Sequence, residues 1–324
     1  MNVVFCGTPQ FAVPTLKHLL AQPDFEIAAV ITQPDRPSGR GMKLKYSAVK
    51  EAALAANVLV YQPEKIRAAE SREWLQRLAP DVIVIIAYGQ IIPAALLTIP
   101  RLGWINLHGS LLPKYRGAAP IQWAIANGEP RTGLTSMRID AGMDTGEMLL
   151  QEETIISPDE TTPQLAARLA EMGAPLMDRT LRGIGLGTLA SRPQRNEDAT
   201  YAPLLKKEDG KIDWNRTAGE IYNRMRAFTP WPGAFTTFRG ETCHISGEPA
   251  SKELSASPSL DGRPFDPHAA PGTSRSTQRA ILVTCGGATE LRLLSVKIAG
   301  GQAIEASEYA SALRLTEWGR FGDT

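Results

Sequence analysis

The chain has 324 residues, enough to bury a large core in one or two domains. Hydrophobic residues make up 43% and charged residues 21%, a globular balance that excludes a disordered chain. The formal net charge of +1 excludes a polybasic protein but not a nucleic-acid partner, because charge that cancels in sum can still cluster in space.

The first half alternates short apolar runs with helical patterns. Strands are expected at Asn2 to Cys6, Glu26 to Ile31, Val58 to Tyr61, Val82 to Ala87 and Trp104 to Leu107. Helices are expected between them at Phe11 to Ala21, Ser47 to Ala56, Ser71 to Leu78 and Pro93 to Leu97. Continuous runs such as Val82-Ile-Val-Ile-Ile86 fit strands buried on both faces, and the alternation implies βαβ units in a parallel sheet. Ligands of such sheets bind beyond the carboxyl ends of the strands. That puts Gly7-Thr-Pro9, Ala87-Tyr-Gly89 and Asn106 to Pro113 on one rim. Gly7-Thr-Pro-Gln10 is not a dinucleotide fingerprint, and a tight turn accounts for its glycine.

A long helix is expected from Thr162 to Leu181, then a polar linker around Gly187 to Tyr201. After a helix at Ala218 to Ala227, the spacing predicts strands at Ala234 to Phe238, Glu241 to Ser246, Arg279 to Thr284 and Glu290 to Val296, a small antiparallel domain of the OB type. The Ser-, Pro- and Gly-rich stretch from Ser251 to Gln278 reads as a mobile loop with no catalytic role. The domains are thus expected at 1–188 and 207–324, with residues 189–206 as the linker.

Cys6, Cys243 and Cys285 are far apart and odd in number, which argues against a disulfide framework and against structural zinc. No metal site is expected, because carboxylates and histidines show no ligand spacing. Without a signal-like segment or a run of about 18 apolar residues, a soluble cytoplasmic protein is expected, with no membrane contact.

The chemistry concentrates between Ile105 and Gly146. Strand alternation turns Asn106 and His108 to one face at a strand end. Asp144 follows in Asp140-Ala-Gly-Met-Asp-Thr-Gly146, a glycine-bounded turn. Together these suit acyl transfer. When an amine attacks an acyl carbon, Asn106 and a protonated His108 can donate to the oxyanion. Asp144 can orient the imidazole, or accept the proton leaving the amine. No serine or cysteine nucleophile is required. Taken singly, each residue has a plainer role: a structural histidine, a turn asparagine, an aspartate cap.

Asn106-x-His108, Ser110-Leu-Leu-Pro113, Tyr115-Arg-Gly-Ala-Ala-Pro120 and Asp144-Thr-Gly146 together resemble the formyltetrahydrofolate-dependent formyltransferases. Gln33-Pro-Asp-Arg36, Gly39-Arg-Gly41, Ile212-Asp-Trp214 and Pro230-Trp-Pro-Gly-Ala234 resemble the branch that acts on methionyl-tRNA. The resemblance covers nearly the whole chain and weakens from Ser251 to Gln278. It implies a Rossmann-like formyltransferase domain followed by an OB-like β-barrel domain. It also implies Asn106, His108 and Asp144 as catalytic residues, and Ser110, Leu111, Leu112 and Pro113 as the folate-binding stretch. The implied donor is 10-formyltetrahydrofolate, and the implied acceptor is the methionine amine of initiator methionyl-tRNA. A related folate-dependent formyltransferase or hydrolase acting on another amine, such as an amino-sugar nucleotide, shares the same trio. What separates the two is the basic loop with Arg36, Arg40, Lys43 and Lys45, together with Lys206 and Lys207 near the domain junction. By charge alone the loop is an ordinary solvated surface. With the resemblance it becomes an expected tRNA contact. A monomer is expected.

Overall fold

The computed structural model describes residues 1–38, 43–298, 301–306, 308 and 319–322. The chain divides into two compact units. Met1–Ile121, Pro130–Ile156 and Pro163–Pro203 form the first; Gln122–Glu129, Ser157–Thr162 and Leu204–Thr324 form the second.

Strands up to residue 155 are β1 (Asn2–Gly7), β2 (Glu26–Ile31), β3 (Arg36–Ser38), β4 (Lys43–Lys45), β5 (Val60–Tyr61), β6 (Val82–Ile86), β7 (Trp104–His108), β8 (Arg131–Arg138) and β9 (Met148–Ile155). The helices are α1 (Val13–Leu20), α2 (Ala48–Ala55), α3 (Ala69–Leu78), α4 (Ala94–Leu97), α5 (Pro120–Ala126) and α6 (Thr162–Gly185). Seven strands form one sheet in the order β5-β2-β1-β6-β7-β8-β9, while β3 and β4 make a separate hairpin. The five strands from β5 to β7 run parallel, as their apolar runs require; every residue of β6 is buried.

β8 and β9 extend the sheet antiparallel and were not expected from the sequence. β8 hides its burial behind polar side chains. Thr132, Thr135 and Ser136 are all buried, and the Ser136 hydroxyl meets that of Thr180 at 2.7 Å. Such groups are tolerated inside when hydrogen-bonded, so hydropathy alternation fails to mark the strand.

The chain enters the sheet at β1, moves outward through β2 and β5, then crosses to β6 on the other side. The crevice for a ligand therefore opens at the carboxyl ends of β1 and β6. There Thr8 Oγ1 and Gln33 Nε2 both donate to the Tyr88 carbonyl at 3.1 Å, tying three rim loops together. Gly7 is required by close approach, since a Cβ would sit 2.9 Å from the Ile86 oxygen.

The second unit contains α7 (Ala218–Ala227), β10 (Phe235–Phe238), β11 (Glu241–Pro249), α8 (Lys252–Ser255), β12 (Ser274–Ser276), β13 (Ile281–Cys285), β14 (Thr289–Ile298) and β15 (Ile304–Glu305). Its antiparallel sheet runs β10-β11-β14-β13-β12, with β15 on β14. Residues 319–322 join the outer strands. The Ser274 N–H donates to Gly319 and the Gly322 N–H to Thr237, and Phe321 bridges Phe238. That return closes the sheet on itself in the manner of a small barrel. Trp214, Met225, Phe238, Ile245, Val283 and Val296 lie in its core.

The stretch from Ser251 to Gln278 differs from the expected unstructured loop. It begins with α8 and ends in β12, where Arg275 is buried and makes a two-pronged ion pair with Glu290. A desolvated fork of this kind anchors the segment.

Candidate active site

Asn106 and His108 stand at the end of β7, paired across the ladder with Met137 and Thr135 of β8. The Asn106 carboxamide is half-buried and has no hydrogen-bond partner among the described residues. It is thus a donor at the strand end that no described residue satisfies. His108 is only 5% exposed. Its Nε2 lies 2.9 Å from the Tyr115 carbonyl, which can only accept, so Nε2 carries a proton. That leaves Nδ1 as the nitrogen facing Asp144.

Asp144 Oδ2 accepts from the Gly117 N–H at 2.9 Å and lies 3.6 Å from His108 Nδ1. The second distance is too long for a hydrogen bond. The Tyr115 carbonyl is therefore the closer orienting group of the imidazole, a role no sequence pattern indicated. Asp144 Oδ1 has no partner among the described residues. Tyr115 and Asp144 both hold left-handed backbone, at φ 60° and 53°. Each such residue costs on the order of 1 kcal/mol and persists where its surroundings over-determine it. For Asp144 the surroundings include Asp140, whose carboxylate accepts from the Gly142 N–H and the Thr145 hydroxyl.

Ser110 to Pro113 form a tight turn directly after His108. Ser110 and Leu112 are buried and their polar atoms are used internally. Ser110 Oγ donates to the Lys114 carbonyl, Thr135 Oγ1 donates to the Ser110 carbonyl, and Gln151 Nε2 donates to the Leu112 carbonyl. Leu111 and Pro113 are half-exposed and offer the turn's apolar surface. Gly133 on β8 leaves room for the Leu111 side chain, since a Cβ there would come within 2.6 Å of it. Thr135 and Gln151, which brace the turn, were missed because they belong to the unexpected strands β8 and β9.

The basic loop is only partly free. Arg36 is exposed on β3 and pairs with Glu64; Lys45, opposite it on β4, is exposed and has no ion-pair partner among the described residues. Lys50 is drawn into a pair with Asp35 at the hairpin's base, and this bond holds the Asp35 carboxyl below its usual range. Lys43 lies on β4, and Arg40 lies outside the described residues. Lys206 and Lys207 are exposed at a short 3₁₀ turn of the second unit. Among the described residues no group of three or more His, Cys, Asp or Glu could hold a metal, and no helix is long and apolar enough to cross a membrane.

Residues 1–181 match the family model for formyl transferase, and residues 204–314 match that for the formyl transferase C-terminal domain. The methionyl-tRNA formyltransferase of Solibacter usitatus is 49% identical over 323 residues, spanning 100% of this chain and 99% of its own. That of Koribacter versatilis is 48% identical, spanning 99% of each. Among solved structures, the sugar 3N-formyl transferase WlaRD, determined in the presence of dTDP and 5-N-formyl-THF, is similar with a TM-score of 0.63 at 19% identity, over 93% of this chain and 99% of that one. That last likeness is one of fold. With both halves matched and near-half identity kept from end to end, the chain belongs to the methionyl-tRNA formyltransferases of the formyl transferase family.

Proposed function

We propose that the chain transfers a formyl group from 10-formyltetrahydrofolate to the α-amino group of methionine on initiator methionyl-tRNA. The observation that carries this reading is the convergence at the end of β7 of an oriented His108 with an Asn106 carboxamide and an Asp144 oxygen that have no partner among the described residues. Near-half identity over full length to enzymes named for that acceptor favours tRNA over a sugar nucleotide.

The residues fit the donor. Half-exposed Leu111 and Pro113 form an apolar edge beside the trio, suited to the face of an aromatic heterocycle, and Thr135 and Gln151 keep that edge rigid. The donor supplies a formyl carbon already activated on nitrogen. The chain's own work is to stabilise charge and move a proton. Asn106 donates an N–H to the formyl oxygen as negative charge develops there. His108 keeps Nε2 on the Tyr115 carbonyl and presents Nδ1 to the reacting centre and Asp144. Asp144 Oδ1 accepts the proton leaving the attacking amine, directly or through water. The new C–N bond forms to the amine, the bond to the donor nitrogen breaks, and that nitrogen takes up a proton.

For the acceptor, Arg36, Arg40, Lys43 and Lys45 supply positive charge on the first unit, and Lys206 and Lys207 on the second. Formyl transfer to initiator and elongator methionyl-tRNA, with and without the folate donor, tests the reading. Donor-dependent transfer to the initiator species is expected. Turnover of an amino-sugar nucleotide without transfer to tRNA would replace this reading with the sugar one. Asp144→Asn should abolish transfer and leave tRNA affinity nearly unchanged.

A further inference from the structure

The two family models leave residues 182–203 unmatched between them. Within that gap, residues 191–202 form a strap across the two loops that hold Tyr115 and Asp144. Arg192 exchanges both backbone hydrogen bonds with Met148 at 2.8 Å. The Arg116 N–H donates to Thr200 O at 2.8 Å and the Ala202 N–H to Arg116 O at 2.7 Å, while Thr200 Oγ1 accepts from the Tyr115 N–H at 2.8 Å. Gly117 makes this approach possible: at φ 121° its missing Cβ would lie 2.6 Å from the Ala202 oxygen.

The side chain at the strap's centre is Gln194. Its Nε2 donates to the Asp144 carbonyl at 2.8 Å and to the Gly146 carbonyl at 2.7 Å. Its Oε1 accepts from Arg116 Nε at 2.9 Å. Arg116 is 2% exposed, and its Nη2 donates to Asn196 Oδ1 at 3.1 Å. The arrangement suits a carboxamide. Two carbonyls demand a donor, a guanidinium demands an acceptor, and one short side chain must meet all three. Holding the Asp144 carbonyl fixes the peptide plane that follows Asp144, one of the two that set its left-handed conformation, and the bond to the Gly146 carbonyl ties down the turn beyond it, and with them the direction of the Asp144 carboxylate.

We propose that Gln194 is a positioning residue, acting through the backbone of Asp144 to keep Oδ2 against His108 Nδ1. This rests on the reading of Asp144 as a member of the catalytic trio. The variant Gln194→Met keeps the length and loses all three hydrogen bonds. Gln194→Glu keeps the acceptor for Arg116 but sets a carboxylate against two carbonyls. Ser191→Ala removes the strap's bond to the Glu147 side chain, leaves both carbonyls that Gln194 holds still bonded to it, and serves as the control.

Steady-state formyl transfer and backbone hydrogen exchange over residues 142–148 test the proposal. Both Gln194 variants should lose kcat by roughly 10- to 100-fold, the scale set by misplacing a catalytic group by a fraction of an ångström to an ångström, with KM for both substrates within about threefold. Exchange should rise around Thr145, and Ser191→Ala should match the parent. If Gln194→Met is too unstable to purify, Gln194→Glu carries the same readout. A kcat within about threefold of the parent in whichever variant folds overturns the positioning role, as does a loss confined to KM. Full activity of Asp144→Asn overturns the trio reading and this inference with it. An inactive Asp144→Asn beside fully active Gln194 variants overturns this inference alone.

Discussion

The buried ion pair of the second unit can be tested by removing its acid. Arg275 and Glu290 have side chains 1% exposed and meet through two bonds of 2.7 Å. The Arg275 guanidinium also donates to the carbonyls of Ser257 at 2.6 Å and Ser255 at 2.8 Å. In Glu290→Gln the charge goes and the volume stays. An unneutralised guanidinium is then left in the interior, a situation that costs about 3–5 kcal/mol. The two carbonyls and one amide oxygen still accept from the fork, which puts the expected cost near the lower end, about 3 kcal/mol. A difference of that size is roughly a 100-fold increase in the population of open molecules. The cysteines report it. Cys243 and Cys285 are buried in the same core, and burial pushes their thiols up to about 11 and about 12, while Cys6 lies in the first unit, likewise raised by burial. Labelling by a thiol reagent at neutral pH therefore waits on opening. Glu290→Gln should raise labelling at Cys243 and Cys285 by roughly 100-fold, read peptide by peptide in a mass spectrometer. The double variant Arg275→Met with Glu290→Leu should recover most of the loss, because an apolar pair needs no compensation. Labelling within about threefold of the parent in Glu290→Gln would refute the assignment of this pair as the anchor of the 251–278 stretch.

Asn106→Ala should lower kcat for formyl transfer by roughly 100-fold or more with little change in thermal stability, as expected for an oxyanion donor without a partner among the described residues; an unchanged kcat would remove it from the proposed trio. Lys45→Gln should reduce the salt slope of tRNA binding by about 1, and Lys50→Gln by less, because its charge already faces Asp35; equal slopes would count against the hairpin assignment. Asp81 accepts from the Asn2 backbone N–H at 2.8 Å, which together with Arg101 holds its carboxyl below its usual range. A depressed folded-state value stabilises above the unfolded value of about 4 and is lost as pH falls through the folded one. The stability gap between the parent and Asp81→Asn should thus be present at neutral pH and close in acid; a gap independent of pH would show that the charge has no part in it.

Much of the first unit was legible because its physics is local. An apolar run such as Val82–Ile86 can only be buried on both faces, and the turns that follow such strands have to face the ligand crevice. The proposed trio of Asn106, His108 and Asp144 was picked out by the same logic, as polar groups where a strand ends or glycines bound a turn. The hairpin was harder to read. Its sequence counts as basic, but Arg36 and Lys50 meet Glu64 and Asp35, and Glu64 stands outside the loop. The stretch from Ser251 to Gln278 misled in the opposite sense. Its composition predicts mobility, while one residue, Arg275, anchors it to a strand that follows.

Gln194 marks where local reading stops. Its partners lie 48, 50 and 78 residues away in the chain, in a polar stretch without periodicity. Nothing about a glutamine beside Pro193 distinguishes a linker from a strap. The distinction arises only once the Asp144 turn and the Tyr115–Ala119 segment are folded into place. Both present backbone groups that strand pairing does not satisfy, and buried backbone groups must find partners. The strap supplies them, through its own backbone at Arg192, Thr200 and Ala202 and through one carboxamide at Gln194. On the proposed roles, the geometry of the three reacting residues is set in part by a segment whose own chemistry is nearly silent. Conservative changes in that segment should tell on kcat before they tell on the fold.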